Sequence, residues 1–143
     1  MSGGLDHKKF SHNKMSSLYF MAPERILGIV DLKDHNLLTK CDTWSVGVLL
    51  YLLITGELPF TGRNVVKLVK KIKKGNPTIG LDSIEGLDDD LKDLIMKLLE
   101  IDPVKRLSCV QALNHSFLTN WVDDNKRMSE EGLESIKQTL AEI

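Results

Sequence analysis

Apolar residues recur at helical spacing along much of the chain. In "DDDLKDLIMKLLEID", Leu91, Leu94, Ile95, Leu98 and Leu99 repeat at i, i+3, i+4, i+7 and i+8, the stripe of a core-facing helix. Asp88, Asp89 and Asp90 precede the stripe, where carboxylates complement the positive end of the helix dipole and serve as caps rather than catalytic groups. Pro103 is expected to end this helix. Upstream, Asn64 to Lys74 puts Val65, Leu68, Val69 and Ile72 on one face and closes at Gly75. The run "VGVLLYLLI", Val46 to Ile54, is apolar all round and shorter than the roughly 17–25 residues a bilayer requires, so it predicts a fully buried helix. Asp42 suits its N-cap and Gly56 its stop, with Gly28 to Lys40 irregular. Pro23 opens a short helical turn, and Ser108 caps a helix through Leu113. Leu133, Ile136, Leu140 and Ile143 form a narrow seam on a last helix that opens at Ser129. No segment alternates as a strand and no repeat recurs, so the fold class is mainly α.

Charge adds little direction. Nineteen Lys and Arg face 20 Asp and Glu in 143 residues, a formal net charge of -1, and no global field draws the chain to nucleic acid or membrane. The polar face of the Asn64–Lys74 helix carries Lys67, Lys70, Lys71, Lys73 and Lys74. It is either a solvated face or a docking patch for an acidic partner; without interleaved aromatic residues, nucleic acid is disfavoured. Cys41 and Cys109 form no ligand-spaced pair, and a reduced cytoplasmic compartment is the simplest reading. Met1 to Ser16 is loop-like and has no apolar core, so it reads as neither signal peptide nor anchor.

At Met21-Ala22-Pro23-Glu24 the sequence resembles the Ala-Pro-Glu motif that closes the activation segment of protein kinases. "DTWSVG", "TGELPF", "IDPVKRLS" and "ALNHSFL" follow in family order across about a hundred residues. The chain is therefore similar to the helical half of a protein-kinase C-lobe. "YFMAPE", "LLYLLITGELPF" and "DLIMKLLEIDPVKRLS" resemble the calcium/calmodulin-type group, calcium-dependent protein kinases in particular. The resemblance implies that Asp42 is a buried aspartate holding the backbone of the catalytic loop, against its reading as an N-cap. It implies that Trp44 and Gly47 pack the central helix, and that Glu24 pairs with Arg106. Ser17 takes the place of the residue whose hydroxyl contacts the catalytic aspartate in serine/threonine kinases. Lys14, Leu18 and Met21 would surround the substrate residue after the phosphorylated one. Ser16 replaces a usual glycine, Asn13 a usual phosphorylated threonine, and Leu52 a glutamate that binds substrate arginine in the cyclic-AMP-dependent kinase.

The resemblance divides the chain into an activation-segment remnant at 1–21, the C-lobe helical subdomain at 22–118, and an extension at 119–143 in the place of a regulatory junction helix. Phosphoryl transfer also needs a Gly-rich loop, a strand lysine, a catalytic-loop Asp and Asn and an Asp-Phe-Gly motif. None of these motifs occurs in the sequence. No catalytic, cofactor-binding or metal-binding residue is therefore assigned; ATP and magnesium belong to the complete parent kinase. The expected partners are a protein substrate of the parent, the N-lobe and catalytic-loop part, and a second copy through exposed apolar surface. The alternatives are a non-catalytic binding module and a stand-alone helical domain.

Overall fold

The computed structural model describes residues 16–31, 33–124 and 138. Six helices are named here in chain order: α1 (Pro23–Ile26), α2 (His35–Thr55), α3 (Val65–Lys74), α4 (Asp89–Leu98), α5 (Cys109–Leu113) and α6 (Ser116–Asp124), with a 3-10 turn at Leu81–Ser83. Among the described residues there is no strand.

The central helix is longer than its apolar run. It begins at His35, where the Asp34 carboxylate accepts hydrogen bonds from Asn36 N and Leu37 N, so Asp42 is not the N-cap. The buried stripe Cys41, Trp44, Val48 and Tyr51 keeps the 3.6-residue period, and the helix starts ahead of it, inside the stretch 28–40 that reads as irregular in sequence. At 21 residues and a window hydropathy of 1.4, α2 is long and apolar enough to cross a membrane by length and composition alone. Its buried stripe instead joins a cluster with Leu68 and Ile72 of α3 and Ile95 of α4, as a core helix does. Burial is one-sided, not all-round: Val46, Leu49 and Leu53 are 49%, 46% and 72% exposed.

Gly47 sets the approach of α4 to α2. A Cβ there would lie 2.8 Å from Leu98 Cβ and 3.1 Å from Leu99 Cδ2, so only glycine permits this spacing. Tyr51, whose ring is buried, receives a hydrogen bond from Ile79 N and donates one to Ile79 O, tying the loop after α3 to the core. α4 ends at Leu98, short of Pro103, because the chain turns there to aim the carbonyls of Glu100 and Ile101 at Arg106. Ser108 and Gln111 cap α5 reciprocally. The sequence reading did not anticipate α6. The seam expected from Ser129 onward lies outside the described residues, Gln138 excepted.

Candidate functional site

Residues 17–22 lie across the first half of α2. Ser45, on the exposed side of the buried stripe, donates its hydroxyl to Phe20 O at 2.8 Å, and Tyr19 donates to Gly62 O at 3.2 Å. The loop is thus held both to the helix beneath it and to the turn before α3. Ser17, Phe20, Met21, Ala22, Arg25, Cys41, Asp42 and Ser45 line an open cleft of about 210 Å³. Four residues singled out from the sequence, Ser17, Met21, Ala22 and Asp42, therefore meet in one place. Ser17 is exposed, while Leu18 and Met21 are half-buried, Leu18 against the core. Asp42 is exposed on the cleft wall rather than buried, because among the described residues no segment covers that end of the cleft. Lys14 lies outside the described residues.

Behind the cleft is a charged cluster drawn from distant parts of the chain. Ala22 is the extended N-cap of α1 and Pro23 its first residue, which aims Glu24 inward. Arg106 is 0% exposed and Glu24 4%. Arg106 Nη1 donates to Glu24 Oε1 at 2.6 Å and Nη2 to Oε2 at 3.0 Å, a bidentate pair across 82 positions of sequence. The other three N–H groups donate to Glu100 O, Lys40 O and Ile101 O, so all five guanidinium donors are used. The guanidinium also lies 4.9 Å from the centroid of Trp44, which stacks on Phe60 at 5.9 Å. Burial by itself raises the Glu24 pKa, but hydrogen bonds and charge from Arg106 outweigh it and hold the carboxyl below its usual range.

Two participants have partners that no motif names: Cys41, outside every motif, and His115, the histidine of "ALNHSFL". The Cys41 thiol donates to Glu24 Oε1 at 3.3 Å, and burial together with the Glu24 charge pushes its pKa up to about 11. Its place three residues before Trp44, on the same stripe, is the one feature of the sequence that marks it as interior. His115, in the turn before α6, is buried and sits 2.9 Å from Asp93 Oδ2. Hydrogen bonds from Lys97 and His115 hold the Asp93 carboxyl below its ordinary value. This pair docks α6 on α4, away from the cleft. Among the described residues no group of three or more His, Cys, Asp or Glu could hold a metal ion.

A central helix under a pinned loop, closed by a buried Glu–Arg pair, defines a helical scaffold of a known class. The model of the protein kinase domain matches residues 1–118, and the chain belongs to that family. It is 34% identical over 118 residues to calcium-dependent protein kinase 4 of Plasmodium berghei (strain Anka), and equally to calcium-dependent protein kinase 4 of Plasmodium falciparum (isolate 3D7). Each match covers 82% of this chain and 21% of the relative, so the chain spans about a fifth of the length of these curated relatives. In structure it is similar to the Rad53 kinase domain and SCD2 in complex with AMPPNP, with TM-score 0.59, 32% identity, and coverage of 72% of this chain and 38% of that one. It is also similar to the twitchin kinase region from C. elegans, with TM-score 0.58, 35% identity, and coverage of 71% and 17%. The described helices are the helical part of a kinase C-lobe.

Proposed function

We propose that this chain is the substrate-platform and scaffold half of a serine/threonine protein kinase, whose complete form transfers a phosphoryl group from ATP to protein Ser or Thr. The observation that carries this reading is the shared cleft of Ser17, Met21, Ala22 and Asp42, built directly on the Glu24–Arg106 pair. In this reading Asp42 accepts backbone hydrogen bonds from a catalytic loop laid into the cleft. Ser17 offers its hydroxyl to the catalytic aspartate of that loop, and Leu18 and Met21, with Lys14, shape the pocket for the residue after the phosphoacceptor. Serine at position 17, where tyrosine kinases have proline, favours Ser/Thr substrates.

ATP and magnesium do not fit the residues present. The described carboxylates form no cluster for a cation, and the sequence has no phosphate-cradling Gly-rich loop. No step of the reaction is therefore assigned to this chain through either group, and the chain by itself is inactive. The test is thermal denaturation with and without Mg-ATP, beside label transfer from ATP to a generic Ser/Thr substrate. No shift and no transfer are expected; either one appearing overturns the assignment.

The same reading accounts for the exposed apolar side of α2, which covering helices of a complete lobe would bury. Val46 lines an apolar groove with Leu50, Leu94, Leu98, Leu113 and Phe117. Surface of this kind is rarely left open in a monomer and suits self-association.

A further inference from the structure

The stretch between Glu57 and Asp82 contains Arg63, Lys67, Lys70, Lys71, Lys73 and Lys74 and no acidic residue, in a chain whose net charge is -1. Lys67 and Lys71 stand at i, i+4 on one edge of α3, and Arg63 lies just before the N-cap Asn64 of the same helix. Like charges at this spacing repel, and Lys67 in the first turn also opposes the helix dipole. Among the described residues, no carboxylate lies within ion-pair distance of any of the three. The sequence thus accumulates positive charge with no local compensation.

The fold gathers that charge into a concavity. Tyr19, Thr61, Gly62, Arg63, Lys67 and Lys71 line a second cleft, separate from the one at Asp42. Its floor is fixed. Tyr19 donates to Gly62 O, and Gly62 presses on α3 so closely that a Cβ would collide with Leu68 N. Lys71 Nζ reaches Thr61 Oγ1 at 3.4 Å, inclining the side chain over the cleft. The other wall is Tyr19, which stands in the same 17–22 loop that lines the first cleft.

We propose that this cleft binds an acidic segment of the protein substrate: a peptide whose carboxylates meet Arg63, Lys67 and Lys71 while the phosphoacceptor lies at residues 17–21. Only the identification of the peptide as substrate rests on the kinase reading; the binding of acidic peptide does not. Charge complementarity selects the class of ligand, since three cations without an ion-pair partner among the described residues, on a prearranged surface, favour several negative charges.

The experiment is fluorescence anisotropy of the full chain with a labelled peptide containing a run of glutamates, beside the same peptide with glutamines. The acidic peptide is expected to bind at least about tenfold tighter, and the difference to shrink as salt shortens the screening length from about 30 Å at 0.01 M to about 8 Å at 0.15 M. K67E/K71E is expected to weaken the acidic peptide by about tenfold or more. K73E/K74E makes the same change of net charge on the same helix but off the cleft, and is expected to change affinity less than about threefold. All four lysines are exposed, and circular dichroism checks that both variants fold. Equal binding of the two peptides, equal effects of the two variants, or capture of phosphatidylserine vesicles in place of peptide each overturns the proposal. Loss of peptide binding leaves the kinase assignment standing, because that assignment is read in phosphoryl transfer and not here.

Discussion

Arg106→Ala is expected to be among the most destabilising single substitutions in this chain. The guanidinium is fully buried and satisfies both oxygens of Glu24 and three backbone carbonyls. Its removal strands a carboxylate that is 4% exposed, leaving the Cys41 thiol as its remaining side-chain donor among the described residues. Breaking a buried ion pair from one side costs about 3–5 kcal/mol, and the three deprived carbonyls push this case toward the upper end. Glu24→Ala should cost less, since the guanidinium keeps three of its five hydrogen bonds. The double variant should cost less than the sum of the two by about 2–3 kcal/mol, while remaining below wild type because Lys40, Glu100 and Ile101 still lack their donor. Trp44 lies against the pair, so urea unfolding followed by tryptophan fluorescence reads all three variants. Should Arg106→Ala leave too little folded protein, Arg106→Lys and Glu24→Gln complete the cycle, lysine being unable to reproduce the paired fork. Single effects below about 1 kcal/mol that simply add are what an exposed pair gives, and they would refute the reasoning.

The same cluster sets a pH dependence. Glu24 is held below its ordinary value of 4.5, so its contribution is complete above that pH and is lost as pH falls through the lowered folded value; acid titration of stability should show this loss in the wild type and not in Glu24→Gln. Cys41, raised from 9.0 to about 11, contributes stability below pH 9.0 that disappears as pH rises through about 11. In the folded protein an aromatic disulfide at pH 8 should therefore label exposed Cys109 quickly and Cys41 only after denaturant is added; rapid labelling of both would contradict the buried contact with Glu24. Gly47→Ala drives a methyl group to 2.8 Å from Leu98 Cβ and should cost about 1–3 kcal/mol in urea unfolding, with no loss of helicity beforehand.

Much of the architecture could be read from periodicity. The stripe Leu91, Leu94, Ile95, Leu98 and Leu99, the glycine stop at Gly75 and the cap at Ser108 are local signals, and helices stand at all three places. The start of α2 was not legible, because Asp34 and Asp42 are equally good caps on paper. What decides between them is tertiary: Cys41 packs against Glu24, and Lys40 gives its carbonyl to Arg106. The same holds for burial. An apolar run states that its residues avoid water but not how many neighbours exist to cover them, and Leu53 remains 72% exposed.

For the site, motif order singled out Glu24 and Arg106 although they lie 82 residues apart, which no propensity or spacing argument does. It gave nothing for Cys41, and for His115 only its place in the motif "ALNHSFL"; the carboxylate that each meets is brought to it by the fold. The basic edge of α3 was visible as composition. Its meaning depended on Tyr19 and Gly62 turning a charged face into a cleft.

The central claim is that this chain supplies the substrate platform of a serine/threonine kinase. It is tested most directly by a chimaera in which residues 16–124 replace the matching segment of calcium-dependent protein kinase 4 from Plasmodium falciparum. Transfer of labelled phosphate from ATP to a serine peptide is measured, with Asp42→Ala and Ser17→Ala chimaeras beside it. The account predicts transfer by the chimaera, with tyrosine peptide ignored and a loss of at least about a hundredfold in Asp42→Ala. A folded chimaera that binds Mg-ATP yet transfers nothing, or one indifferent to Asp42, would contradict it.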